Sequence, residues 1–240
     1  MTNTCNKRMR TWSVALILGV AGIIFAASPA GARVAGLENK GLQEFDQIST
    51  SNGTAEVSRG PAFRGSASAQ FNYSGGGANG YARGVFEPDW RPGDRVLYKA
   101  AFKLQRGFYR AMQGQVALMR WDNWPEHGGS GDAGGIVIYG GDRKARLTRS
   151  RYGGEQVALG RAFRIPEGRW VKLSVRQRLS AGRAHSVVRM NGRKVASSNQ
   201  ANSYGRPISR VRYGIVAIDA GAQHNPLRVW VDDAIARKSR

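Results

Sequence analysis

The 240-residue chain has a single cysteine, Cys5, and it stands before the one long apolar run. An internal disulfide is therefore excluded, and so is a Cys/His zinc site. A lipoprotein cysteine would follow the apolar run, so Cys5 is no acylation site either. Acidic residues are scarce: 16 Asp and Glu face 37 Lys and Arg, for a formal charge of +21. Histidine is limited to His127, His185 and His224. There is no P-loop, no G-x-S-x-G elbow and no dinucleotide-binding glycine pattern. Internal repeats and long amphipathic helices are absent too, which excludes solenoids and helical bundles.

What is present begins with an export signature. Lys7, Arg8 and Arg10 precede the apolar stretch Val14 to Ala27, and Ala30-Gly31-Ala32 forms a small-residue cleavage site. Residues 1–32 are expected to be a signal peptide, with Arg33 the new N-terminus. The stretch is short for a bilayer span, and an uncleaved anchor is the alternative. The 208 residues from Arg33 to Arg240 suffice for one domain and one core. They are read as a secreted monomer, extracellular or periplasmic, with no membrane attachment after cleavage. With no disulfide, that domain must be held by apolar packing. Losing the leader's three cations still leaves +18, a charge suited to polyanions such as acidic polysaccharide, nucleic acid or anionic lipid. Only eight of the 37 cations are lysine, so a genome-wide arginine bias would explain the charge equally well. No nucleic-acid motif occurs, and specific nucleic-acid binding is not expected.

Short alternating runs broken by Gly, Asn, Asp and Pro dominate from residue 67 onward. They are 67–73, 80–86, 96–104, 115–121, 135–139, 170–179, 185–190, 193–196, 211–218 and 227–231. Val96, Tyr98, Ala100 and Phe102 share one strand face. Val116 and Leu118 oppose Gln115, Ala117 and Met119. Val171, Leu173 and Val175 oppose Lys172, Ser174, Arg176 and Arg178, a cationic row on an outer face. Asn191-Gly192 is a two-residue hairpin turn. The pattern predicts an all-β, two-sheet antiparallel sandwich.

The stretch from Gln113 to Tyr139 concentrates the candidate chemistry. Gln113 and Gln115 could present amides to sugar hydroxyls or a carboxylate, or be ordinary outer-face residues. Trp121 and Trp124 flank Asp122 and Asn123; flat rings beside polar groups suit sugar stacking, and they suit loop packing as well. Arg120 could bind a glycan carboxylate or pair with Asp122. His127 stands next to Glu126 in the same loop and is the candidate proton carrier. Asp122, Asn123, Glu126 and Asp132 could offer oxygen to a structural Ca2+ ion, but their spacing matches no EF-hand loop. No cofactor is expected.

The order of features resembles the concanavalin A-like jelly roll of laminin-G-like lectin modules, glucanases and polysaccharide lyases. The features are Trp90-Arg91-Pro92-Gly93-Asp94, Gly107-Phe108, the Gln115 strand, Gly168-Arg169-Trp170, the Asn191-Gly192 hairpin, Tyr213-Gly214-Ile215 and Val229-Trp230-Val231-Asp232-Asp233. Within that group the chain looks most like secreted lyases of the heparin and alginate type, over residues 40–237. The glucanases' Glu-x-Asp-x-x-Glu strand is missing. The resemblance implies an acidic, uronate-containing polysaccharide and β-elimination. A cation or amide neutralises the carboxylate, a base takes the C5 proton, and an acid serves the leaving oxygen. Where alginate lyases carry Gln-x-His, this chain has Gln115-Val116-Ala117. Their Lys-x-Gly-x-Tyr strand compares with Arg212-Tyr213-Gly214-Ile215-Val216, and Arg83 lies near the place of their arginine-rich strand. His and Tyr are thus replaced by Ala117 and Val216. Catalysis would then fall to His127 with Tyr139, Tyr213 and Arg120, and binding to Arg83, Gln113, Gln115, Trp121, Asn123, Trp124 and Arg212. The alternatives are a non-catalytic lectin-like module and nonspecific polyanion binding.

Overall fold

The computed structural model describes residues 32–34, 37, 41–75, 80–123, 132–151, 156–203, 205–217 and 225–239. Its strands are β1 (Ala32–Val34), β2 (Gln47–Ser51), β3 (Gly53–Ser58), β4 (Ser68–Tyr73), β5 (Tyr81–Phe86), β6 (Arg95–Leu104), β7 (Gln115–Asp122), β8 (Asp132–Tyr139), β9 (Lys144–Arg151), β10 (Val157–Phe163), β11 (Trp170–Arg178), β12 (Ser186–Met190), β13 (Arg193–Ser198), β14 (Arg210–Ala217) and β15 (Leu227–Lys238). They form two antiparallel sheets. The first runs β13-β12-β11-β6-β15-β4-β3, with β1 paired to β15, and the second runs β10-β9-β8-β7-β14-β5-β2. This is the expected jelly-roll sandwich. The expected cleavage point after Ala32 falls inside β1.

The alternating pattern does the sorting. On β11 the inward Val171, Leu173 and Val175 are fully buried, while Arg176 and Arg178 on the other face are exposed. Phe71, Tyr98, Phe102, Leu118, Ile136 and Tyr213 meet between the sheets in one continuous core. Asn191 and Gly192 have φ of 49° and 83°, the positive pair that a type I′ hairpin needs. Strands β1, β2, β3, β9 and β10 have no counterpart among the expected runs. QISTS and GTAEVS carry little apolar alternation because they sit at sheet edges and bury little.

One irregularity decides the geometry of the second sheet. Ala117 pairs with Val137, but Met119 pairs with Ile136, so Leu118 is an extra residue in β7. On the other side Met119 pairs with Tyr213 and Ala117 with Val216, leaving Gly214 and Ile215 opposite Leu118. The bulge sends both Leu118 and Met119 inward and reverses the phase beyond them. Strict alternation would place Met119 and Trp121 outside and Arg120 inside. Instead Trp121 is in the core, 1% exposed and stacked on Tyr98 at 4.1 Å. Burying an indole of roughly 200 Å2 is worth about 5 kcal/mol at about 25 cal/mol/Å2. Burying an uncompensated guanidinium in its place would cost several kcal/mol. Both terms favour the bulged register. Glycines accommodate it: a Cβ on Gly134 would lie 2.3 Å from Trp121 Nε1, and one on Gly214, at φ 136°, would lie 2.5 Å from Ala82 O.

Candidate functional site

The bulge puts Arg120 and Asp122 on the outer face of the second sheet, beside Arg212, the cross-strand partner of Arg120. Asp122 is fully buried. Its Oδ2 lies 3.5 Å from Arg120 Nε and accepts a hydrogen bond from Arg212 Nη1. Arg83, on the next strand, is Gly214's partner, and its guanidinium lies 3.8 Å from the Tyr81 ring centroid. Burial first, and then the Arg212 charge, bring Arg83 down to about 9. It therefore stays a cation at neutral pH, but with its charge poorly solvated. Burial, opposed by Asp122, also lowers Arg120 and Arg212. Three guanidiniums thus act on one carboxylate among the described side chains, and the Nε atoms of Arg83 and Arg212 have no hydrogen-bond acceptor among the described residues. Guanidinium forks so placed can pair with a carboxylate in bidentate geometry.

Beside the arginines the floor is apolar. Ala117, Val137 and Val216 pack together, flanked by half-buried Tyr81 and Tyr139. Gln115 and Tyr139 are cross-strand partners. The Tyr139 hydroxyl donates to Gln156 Oε1 at 3.0 Å, and the Arg146 guanidinium lies 4.7 Å from the Tyr139 ring centroid. A small recess there is lined by Ala117, Arg120, Val137, Thr148 and Gln156. Larger open hollows, about 440 Å3 beside Arg164 and Asn191 and about 360 Å3 beside Arg161 and Lys194, lie near β12 and β13, away from this cluster.

The face therefore gathers Arg83, Gln115, Arg120, Tyr139 and Arg212 from the expected set. It does not gather Tyr213, which is fully buried in the core and donates to Ile235 O at 2.6 Å. Burial pushes that hydroxyl far above its ordinary range, and its place in the core keeps Tyr213 from exchanging protons with anything on the outer face. Trp121 is likewise turned inward and cannot stack on a sugar. Gln113 is exposed in the segment before β7 and not in line with Gln115 on the strand. Asn123 follows β7 and is half-buried. His127, Trp124 and Glu126 lie outside the described residues, as does the Asp132 side chain. No cluster of three metal-ligating acids or histidines occurs among the described residues, and the Asp122 carboxylate is already committed to arginines. Tyr81 is the residue that sequence reasoning missed. Its signal was its place two positions before Arg83, on the same face of β5.

No family model matches the chain, and no curated protein does. Solved structures do match. Alginate lyase Aly36B superposes with a TM-score of 0.63 at 12% identity, over 89% of this chain and 99% of its own. Alginate lyase vAL-1 from Chlorella virus gives 0.56 at 12% identity, over 80% and 91%. Alginate lyase A1-II′ gives 0.50 at 14% identity, over 72% and 81%. The fold is that of the polysaccharide-lyase jelly rolls. At such identities the likeness concerns the fold alone. Against that frame, the two positions where the resemblance implied His and Tyr, Ala117 and Val216, are direct cross-strand partners, and both are apolar.

Proposed function

We propose that this protein binds an acidic, uronate-containing polysaccharide across the outer face of its second sheet. The observation that carries this is the convergence of Arg83, Arg120 and Arg212 around the carboxylate of Asp122. A uronate carboxylate entering beside Asp122 would share the three guanidiniums, while the apolar Ala117–Val137–Val216 floor takes a face of the sugar ring. Mutants of Aly36B have been captured with alginate trisaccharide and tetrasaccharide, which supports a ligand of this class. The reading includes export, through the Lys7–Ala32 leader, to where such polymers occur. The test is retention on immobilised alginate, polygalacturonate and heparin: wild type should be retained, and Arg83→Met should elute about tenfold more weakly, the scale of one charge-assisted contact. Equal retention of the two would remove the site from this face.

Elimination is the second reading, favoured by Tyr81 and Tyr139 on the same face as the arginines. Neutralising the uronate carboxylate makes its C5 proton more acidic. One tyrosine oxygen, as phenolate, would take that proton while the C4–O bond breaks and a C4=C5 double bond forms, and the other tyrosine hydroxyl would pass its proton to the leaving oxygen. Ultraviolet absorbance of an unsaturated uronate should then appear with alginate, glucuronan, heparin or pectate, and should vanish in Tyr139→Phe. Retention without any new absorbance leaves a binding protein.

A further inference from the structure

We propose that the opposite sheet carries a second binding surface, for a linear anionic polysaccharide, built on Trp170, Lys103 and Trp230. Lys103 is the cross-strand partner of Trp170 on one side and of Trp230 on the other. The row continues through Gln70 and Glu56. All five point to the outer face, because the intervening residues, such as Val171, Phe102 and Val229, fill the core. Adjacent strands are about 4.8 Å apart, so the two indoles stand roughly 10 Å apart with an ammonium between them. That spacing suits alternate rings of one extended sugar chain, with Lys103 placed for the carboxylate of the ring between them.

The indoles are half-buried and held in position. Trp230 Nε1–H donates to Gln70 Oε1 at 2.7 Å, and the Gln70 amide donates in turn to Glu56. Lys103 Nζ lies 5.6 Å from the Trp230 ring centroid. At the other end Phe63 contacts Trp170 edge-on at 6.0 Å. Its backbone N–H, with that of Arg64, is tied to Asp232 Oδ2 at 2.9 and 3.0 Å. Ordered aromatics lose little conformational freedom on binding.

Charge selects an anionic partner. Among the described acids of this face, Asp233 pairs with Arg64, Asp232 is buried and accepts from backbone N–H groups, and Glu56 stands at the far end of the row, accepting from Gln70 and Asn72, so cations prevail around Trp170 and Lys103. The cations crowd one another. Burial, and then the neighbouring Lys172 charge, lower the Lys99 ammonium. A passing chain of carboxylates relieves that repulsion. The surface lies on the other side of the sandwich from the arginine cluster and stands without the groove reading.

Calorimetric titration of the full chain with sodium alginate tests this. Trp230→Ala and Lys103→Ser should each weaken binding about fivefold, and Arg183→Ser, an exposed cation elsewhere, should leave it unchanged. Lys103→Ser keeps the test readable if Trp230→Ala unfolds. Wild-type affinity in Lys103→Ser overturns the proposal. So does an equal loss in Arg183→Ser, which would mean diffuse charge. A thymidine homo-oligonucleotide that binds more tightly, with the same sensitivities, overturns the polysaccharide assignment. If Arg83→Met alone weakens binding, the groove stands and this surface falls; if only Trp230 and Lys103 variants do, the reverse holds.

Discussion

Replacing Asp122 by Asn keeps shape and some hydrogen bonding while deleting the carboxylate on which the arginine cluster rests. Asp122 is fully buried, and the side chains of Arg120 and Arg212 are 8% and 6% exposed. Breaking a buried ion pair by removing one partner typically costs about 3–5 kcal/mol, because the remaining charge stays buried. For a domain of this size, 1 kcal/mol shifts Tm by about 2–4 °C. Asp122→Asn should therefore lower Tm by about 6–20 °C in calorimetry at neutral pH. Two further results follow if the cause is uncompensated charge. Adding Arg120→Met to Asp122→Asn should cost less than the two single losses together, by at least about 1 kcal/mol. A short oligouronate should also raise the Tm of Asp122→Asn more than that of wild type, since its carboxylate takes the place of the missing one. A Tm drop below about 2 °C, or strict additivity in the double variant, would refute the electrostatic account of this cluster.

Polyuronate affinity should hold steady around neutral pH and fall as pH rises through about 9, where Arg83 loses its proton; calorimetry at constant ionic strength giving a flat profile through that range would exclude Arg83. Tyr213→Phe should lose about 1 kcal/mol in urea unfolding, the value of its bond to Ile235 O. Because the folded Tyr213 holds its proton far above the ordinary 10.0 while the unfolded one releases it there, the stability due to this group is fully present below that pH and is lost above it. Alkaline destabilisation should therefore be shallower in Tyr213→Phe. Gly134→Ala should cost about 1–3 kcal/mol by driving a methyl into Trp121, seen as a lower Tm; a neutral result would mean that β8 can shift at no cost.

The fold was legible because most strands are half-buried. Val96 to Phe102 and Val171 to Val175 alternate cleanly, since one face meets the core and the other meets water. The Asn191-Gly192 turn was equally plain. The edge strands β2 and β3 were not, because a strand that buries little needs no apolar alternation. Within the site, Arg120's pairing with Asp122 is an alternative already raised by their two-residue spacing. Tyr213 misled for the opposite reason: a tyrosine beside Arg212 reads as groove chemistry until its strand face is known.

A sandwich with one core, a strongly cationic chain and the lack of an internal disulfide are legible in the residues alone. Those follow from composition and local period, which need no knowledge of partners. Which residues stand on the outer face of the second sheet depends on contacts between distant parts of the chain. The one-residue bulge at Leu118 exchanges Trp121 for Arg120 across the sheet, and its stability depends on Tyr98 from the other sheet and on Gly134 and Gly214 from neighbouring strands. A period-2 reading cannot see a phase change whose energy comes from residues distant in the chain. The same holds for the convergence of Arg83, Arg120 and Arg212, brought together by pairing across three strands.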